Sequence, residues 1–311
     1  MEAWQLKQRQ SLPLEAKINH SLSVIRQWYE HWDGQVYVSF SGGKDSTVLL
    51  HLVRSIYPEV PAVFVDTGLE FPEIKDFVST FENVETKRPK LSFVQVLERY
   101  GYPVISKQVA DNVHLARQNI KDGKITFRVK KMQGTLVDKY GNKSIYNTSK
   151  WAHLLDAPFK ISDHCCYVMK KSPAKSYEKE SGRKPYTGML ACESMLRRTS
   201  YLLAGGCNTF EGGKAKSNPL SIWLEQDILE YLKMYSLPIA SVYGEIIETK
   251  DGLRLTGYER TGCMFCGFGA HLEKGENRFQ RMKKTHPEIH AYCMKQLGMK
   301  EVLEYIGVKY E

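Results

Sequence analysis

Ser39-Phe40-Ser41-Gly42-Gly43-Lys44-Asp45-Ser46 joins a strand to a helix and has the composition of a phosphate cradle. Upstream, Gln35-Val36-Tyr37-Val38-Ser39-Phe40 is a short β-branched and aromatic run that reads as a buried strand. Downstream, Val48, Leu49, Leu50, Leu52 and Val53 give a helical apolar face. Between them, two glycines let the backbone approach an anion, and the serines and first free N–H groups of the helix point at it. The helix dipole adds to the attraction. The loop is not a Walker loop, since G-x-x-x-x-G-K-[ST] needs a second, wider-spaced glycine before the lysine.

Working outward, Leu14, Ile18, Leu22, Ile25 and Trp28 have helical spacing, so an amphipathic helix over 14–32 precedes the first strand and Asp33-Gly34 ends it. A second strand over Ala62–Asp66 stops at Thr67-Gly68, and Phe71-Pro72-Glu73 opens the next helix. Ser92–Val96 reads as a third strand. This alternation predicts an α/β fold, a doubly wound and mostly parallel sheet whose ligand sits at the carboxyl ends of strands, where Ser39 and Asp66 lie. Farther on, 134–146 reads as a hairpin around Gly141-Asn142, and Tyr186–Leu190 as a returning strand with a helix from near Glu193. A helix spans 223–235 before Leu237-Pro238, with Trp223 read as core; from about 246 a cysteine-bearing loop is followed by two short helices. The expected organisation is an N-terminal helix (1–34), a nucleotide-binding domain (35–245) with a basic hairpin insertion (about 107–150), and a C-terminal cysteine loop with helices (246–311).

A chain of 311 residues with 42% apolar and 25% charged residues is ordinary for a globular protein. No apolar run approaches the roughly 20 residues needed to span a bilayer, and the N-terminus reads as no signal peptide, so no membrane contact and a cytoplasmic location are expected. The net charge of +9 is concentrated: residues 107–150 carry ten Lys or Arg against Asp111, Asp122 and Asp138. Such an insertion is either a solvated lysine-rich surface or a site for a polyanion such as nucleic acid.

Seven cysteines is an odd count that favours metal or thiol chemistry over a disulfide framework. Cys263-Met264-Phe265-Cys266 has the spacer that lets two thiolates converge, and the adjacent pair Cys165-Cys166 offers two more. Soft donors of this kind suit zinc or an iron–sulfur cluster alike. Cys192, Cys207 and Cys293 read as core residues, and His271, His286 and His290 as hydrogen-bonded rather than ligating.

The loop Ser-Gly-Gly-Lys-Asp-Ser resembles the PP-loop of ATP pyrophosphatases, which cleave ATP between the α and β phosphates, rather than an ordinary capped βα turn. Cys165-Cys166 with Lys170-Lys171-Ser172-Pro173, and Thr261-Gly262-Cys263-Met264-Phe265-Cys266, resemble the cluster ligands of 4Fe-4S adenylylsulfate reductases. Together they place the chain, by resemblance over about 35–270, in the phosphoadenosine phosphosulfate (PAPS) reductase-like branch of the PP-loop superfamily, with its adenine nucleotide alpha hydrolase-like fold. Asp66-Thr67-Gly68 is similar to the family's second-strand motif near the nucleotide. Gly188-Met189-Leu190-Ala191-Cys192-Glu193-Ser194 with Arg197 resembles its Glu-Ser signature, although Leu190 stands where arginine is frequent. The family's C-terminal Glu-Cys-Gly-[Ile or Leu]-His motif is not found, Cys293 being the nearest thiol.

The resemblance implies an adenine nucleotide, ATP with magnesium, held by Ser39, Ser41, Gly42, Gly43, Lys44, Asp45, Ser46, Asp66, Thr67, Gly68, Glu193 and Arg197, and a 4Fe-4S cluster on Cys165, Cys166, Cys263 and Cys266. Lys44 and Asp45 would be catalytic, with Asp45 either on magnesium or capping the helix. The leading expectation is ATP-dependent activation for sulfur transfer, with a cysteine desulfurase or thioredoxin-like partner and a nucleic-acid acceptor at the basic insertion. The alternatives are reduction of a sulfonucleotide to sulfite, with Cys293 as attacking thiol, and a non-enzymatic nucleotide- or nucleic-acid-binding subunit.

Overall fold

The computed structural model describes residues 1–211 and 215–311, and the chain packs as two units, one of 1–66, 70–88 and 173–261 and one of 67–69, 89–172 and 262–311. In chain order the helices and strands are α1 (Ala3–Gln10), α2 (Leu14–His31), β1 (Val36–Ser39), α3 (Lys44–Arg54), β2 (Ala62–Val65), α4 (Pro72–Ser79) and β3 (Val84–Lys87). Then come α5 (Phe93–Tyr100), β4 (Val104–Ile105), α6 (Lys107–Lys121), α7 (Phe127–Gln133), α8 (His164–Cys166), α9 (Ser172–Ser181), β5 (Lys184–Thr187), α10 (Met195–Ala204), β6 (Asn208–Thr209) and β7 (Lys216–Ser217). The remainder is α11 (Glu225–Met234), β8 (Ile246–Thr249), β9 (Gly252–Leu255), β10 (Gly267–Phe268), α12 (Arg278–Thr285), α13 (Pro287–Lys295) and α14 (Met299–Tyr305).

The first unit is built on a six-stranded sheet of order β3-β2-β1-β5-β7-β6, parallel except for β6 against β7. Strand order reverses beside β1, where Ser39 registers with Val63 on one side and Thr187 on the other, and ligands of open α/β sheets bind at such a reversal. Val36 and Val38 are fully buried, as are Val48, Leu49 and Val53 on α3, so the strand and helix flanking the glycine loop are fixed by core packing. Trp28 and Trp223 are fully buried too; the Trp223 indole N–H donates to Ser21 Oγ, whose hydroxyl donates to the Pro219 carbonyl. Trp223 is therefore core. Lys17 and Asp227 form a buried ion pair at 2.6 Å, tying α2 to α11.

Two sequence expectations change in this unit. The strand at the sheet edge is β3, whose Val-Glu-Thr-Lys pattern keeps charged side chains at the solvent, as edge strands do. Residues 246–255, expected as loop, form the antiparallel hairpin β8–β9, with Lys250-Asp251 at its turn.

In the second unit, Ser92–Val96 is helix rather than strand. Ser92 Oγ accepts the Gln95 N–H while the Gln95 side chain accepts the Ser92 N–H, and Phe93, Val96 and Leu97 bury one helical face. The insertion is mostly helical, as α6 and α7; the hairpin contracts to one antiparallel bridge, Val137 with Lys143. Beyond Cys266 there are three short helices rather than two, and they bury Phe279, Met282, Cys293, Met299 and Leu303. Tyr102 ties into them by donating to the Leu297 carbonyl at 2.8 Å.

Candidate active site

The turn from β1 into α3 is shaped by its glycines. Gly42 has φ +70°, and a Cβ there would stand 2.7 Å from Val78 Cγ2 and 2.8 Å from Ile74 Cγ2, so only glycine fits. Gly43 caps α3 in extended backbone, and a Cβ there would point at the hydroxyls of Ser41 and Tyr243, 3.2 Å away. Gly188, past the end of β5, comes so close that a Cβ would lie 3.2 Å from the Asp45 carbonyl. Sidechain hydroxyls occupy the donors an anion would take: the Gly43 N–H donates to Ser41 Oγ at 3.3 Å and the Lys44 N–H to Tyr243 Oη at 3.3 Å. Ser46 Oγ accepts the Ser41 N–H and donates to the Gly43 carbonyl at 2.8 Å, which stiffens the loop.

Lys44 is buried, and its ammonium sits between Glu225 Oε1 at 2.9 Å and Asp45 Oδ1 at 3.4 Å. Burial alone would push this ammonium's pKa down, but the Asp45 and Glu225 carboxylates outweigh it and hold it above the ordinary lysine value. Burial pushes the Asp45 carboxyl up; Lys44 opposes the shift and Glu225 adds to it. Asp45 Oδ1 has no hydrogen-bond partner among the described residues. This buried carboxylate oxygen, with the Lys44 ammonium 3.4 Å away, stands beside the glycine loop and suits a divalent cation.

Glu193 accepts the Leu190 N–H at 3.2 Å, pairs with Arg197 and has Arg260 at 3.8 Å. Burial, followed by the repulsion of Arg260, lowers the Arg197 pKa. The site thus sets three cations, Lys44, Arg197 and Arg260, against three carboxylates, Asp45, Glu193 and Glu225. Each cation is held until a more negative ligand competes for it. Cys192, expected as core, is exposed, with its Sγ 3.5 Å from the Trp223 carbonyl; partial desolvation of the sulfur raises its thiol pKa. Cys207 and Cys293 are buried as expected, the first thiol pushed up to about 11 and the second farther, both chiefly by burial.

Of the other sequence candidates, Ser39 ends β1 beside this loop. The Asp66 carboxylate is held by Lys75 at 2.9 Å and Arg88 at 3.2 Å. Thr67 and Gly68 fall in the second unit, where Thr67 Oγ1 accepts the Leu69 N–H. Glu225, Tyr243 and Arg260 were missed because nothing local marks them; Tyr243 was reachable only through Thr261, whose Oγ1 lies 2.6 Å from the tyrosine hydroxyl.

In the second unit, Cys165, Cys166, Cys263 and Cys266 line one recess with Leu69, Phe93, Pro103, Met169 and Lys170. Cys266 N–H closes a tight turn onto the Cys263 carbonyl, Met264 N–H donates to the Leu69 carbonyl, and Arg278 donates to the Cys266 carbonyl. β10 pairs with β4 immediately after Cys266. A hydrogen bond with Cys166, then burial and the neighbouring sulfurs, push the Cys165 thiol strongly up. Cys166 is lowered to about 6 by that bond and by Lys107 and Lys170, so it ionises first. Burial pushes Cys266 up to about 11, with Cys263 adding to it. A metal bound among these sulfurs would take up Cys165 and Cys266 as thiolates with release of their protons. Among the described residues no three His, Cys, Asp or Glu side chains are gathered as ligands of a single ion. Four sulfurs in a largely apolar recess are a donor set that suits a soft metal centre, zinc or iron–sulfur alike.

Residues 35–104, from β1 through β4, match the phosphoadenosine phosphosulfate reductase domain. That stretch, under a quarter of the chain, is similar to the reductase domain. The four recess cysteines lie outside the matched residues. An uncharacterized protein of Methanocaldococcus jannaschii is 24% identical over 279 residues, covering 86% of this PAPS reductase-like chain and 50% of that protein. The adenosine 5'-phosphosulfate reductase of Staphylococcus epidermidis strain RP62A is 22% identical over 259 residues, covering 82% of the chain and 79% of the reductase. The crystal structure of a PAPS reductase from Candida auris in a phosphate complex superposes with a TM-score of 0.42 at 16% identity, covering 84% of this chain and 98% of that one. The chain spans about half the length of the first curated relatives it matches. No helix among the described residues is long and apolar enough to cross a membrane.

Proposed function

We propose that this chain is an ATP pyrophosphatase that activates an acceptor for sulfur transfer. The observation that carries the reading is the Lys44 ammonium, buried between two carboxylates at the mouth of a glycine loop. Such a lysine is preorganised for a polyphosphate. The Gly43 and Lys44 N–H groups would exchange hydroxyl partners for β- and γ-phosphate oxygens, with Lys44, Arg197 and Arg260 spreading the developing charge. Asp45 would hold the magnesium that accompanies ATP. An acceptor oxygen attacks the α phosphorus; the new O–P bond forms as the bond to the bridging oxygen breaks, and pyrophosphate leaves with that bond's electron pair. A sulfide-level sulfur nucleophile from a donor then attacks the activated carbon, and AMP leaves with the electron pair of the C–O bond that held it. Positioning and charge stabilisation supply most of the rate, and no general base is required of the loop.

Cys165, Cys166, Cys263 and Cys266 would hold a 4Fe-4S cluster, which when bound supplies a site for handing on sulfur or electrons. Reduction of a sulfonucleotide by Cys293 is disfavoured, because that thiol is fully buried and its ionisation is suppressed. Anaerobic purification with iron and sulfide analysis, followed by assay of AMP and pyrophosphate release, tests the proposal. Iron with sulfide and AMP-forming turnover supports it; zinc without turnover, or sulfite release from a sulfonucleotide with a thioredoxin, sinks it.

A further inference from the structure

The ten basic residues of 107–150 divide into two groups once their partners are known. Arg117 donates to the carbonyls of Leu154, Leu155, Ala157 and Phe159, Arg128 pairs with Asp111, Lys131 is buried, and Lys107 faces Cys166. Arg117, Arg128 and Lys131 hold the fold, while Lys107 is exposed beside Cys166. Lys121, Lys124, Lys130, Lys139, Lys143 and Lys150 are exposed.

Two of the exposed lysines, Lys139 and Lys143, sit on one closed surface loop, and Lys150 follows just past its closing residue. Thr148 N–H donates to the Lys131 carbonyl, Asn147 exchanges hydrogen bonds with the Leu136 backbone, and Val137 bridges to Lys143. The loop's one acid, Asp138, turns back to accept the Tyr140 and Asn142 N–H groups. What it offers to solvent is apolar and aromatic: Tyr140 is 75% exposed, Ile145 89% and Tyr146 65%. Lys139 Nζ lies 4.8 Å from the Tyr140 ring centre, and Lys150 Nζ lies 5.2 Å from that of Trp151. A lysine-rich surface kept only for solubility has no reason to expose two tyrosines and an isoleucine among its cations. Ring faces beside ammonium groups match a strand whose bases stack while its phosphates are neutralised. A duplex hides its base faces, and an acidic peptide has none.

We infer that the loop 134–151 is a binding surface for unpaired nucleic acid. As a binding surface this stands without ATP; as the acceptor class of the sulfur-transfer reaction it rests on the function proposed above. The test is fluorescence anisotropy with the full chain, no nucleotide, and labelled oligouridylate or oligothymidylate against a duplex of mixed sequence. Single strands should bind tighter than the duplex and weaken steeply with salt. Tyr140→Ala with Tyr146→Ala should weaken binding by at least about fivefold per ring engaged, the lower end for one stacked base. Lys139→Ala with Lys143→Ala should weaken binding and flatten the salt slope, while Lys179→Ala on α9 leaves both unchanged. Circular dichroism and thermal melting of each variant should match the parent, since all these side chains are exposed. Duplex binding equal to single-strand binding, full retention by the tyrosine variant, or equal competition by polyglutamate would overturn the inference. ATP binding, read by calorimetry, retained by a variant that no longer binds the strand separates this surface from the ATP site.

Discussion

Lys44 and Asp45 are neighbours in sequence with opposite electrostatic fortunes. The lysine gains more from its two carboxylates than burial costs it, and Lys44→Ala should lower pyrophosphate release by at least about 100-fold, read from initial rates at saturating ATP. Asp45 is charged against its surroundings. Its folded pKa lies above the unfolded value, so the unfolded state binds fewer protons and stability falls as pH rises through about 3.8 toward the folded value. Asp45→Asn removes that penalty: the urea midpoint near neutral pH should rise while turnover is lost, and a lower midpoint would refute the account. The two glycines separate in the same way. Gly42→Ala places a Cβ against Val78 and Ile74 in left-handed backbone and should cost about 1–3 kcal/mol in urea unfolding. Gly43→Ala, in ordinary backbone, should leave stability nearly intact and weaken ATP binding measured by calorimetry.

At the scale of elements, α5 shows how a short apolar run is decided. Ser-Phe-Val-Gln-Val alternates like a strand, but Ser92 and Gln95 form a reciprocal cap that only a helix satisfies. Ser92→Ala should destabilise the protein by ~1 kcal/mol, seen in equilibrium unfolding. α3 and α11 are joined through His51, whose Nδ1 lies 2.8 Å from the Tyr231 hydroxyl and whose pKa is lowered by burial. Here the unfolded state binds more protons, so the contribution is complete above about 6.5 and is lost as pH falls from there through the lowered folded value. The urea midpoint should drop on acidification through that window, and His51→Gln should flatten the drop. An unchanged slope in the variant would assign the acid sensitivity elsewhere, His20 being another buried histidine with a lowered pKa.

At the scale of the whole molecule, what could be read from the chain were features whose information is local. The strand, glycine loop and helix of 36–54, the helix over 14–31 and the β2 strand each follow from side-chain period, turn residues or a cap within a few positions. Cys165, Cys166, Cys263 and Cys266 were legible as soft donors from their spacing. The reading failed where a segment's state depends on what it meets: β3 is polar because it is a sheet edge, and the expected hairpin at 134–146 is held by backbone ties to α7 rather than by a ladder. The sequence by itself therefore determined the strand–glycine loop–helix turn and the set of thiols, while the packing of α4 decided that Gly42 must be glycine. Only the tertiary structure decided that Glu225, Tyr243 and Arg260, some 180 or more positions downstream, complete the surroundings of Lys44, and that three of ten basic residues in the insertion are structural while seven are exposed. The reason is physical: local dihedral preferences leave a period in the sequence, whereas a contact closed by a long loop leaves none, because loop closure costs only slowly more with length and so permits many partners.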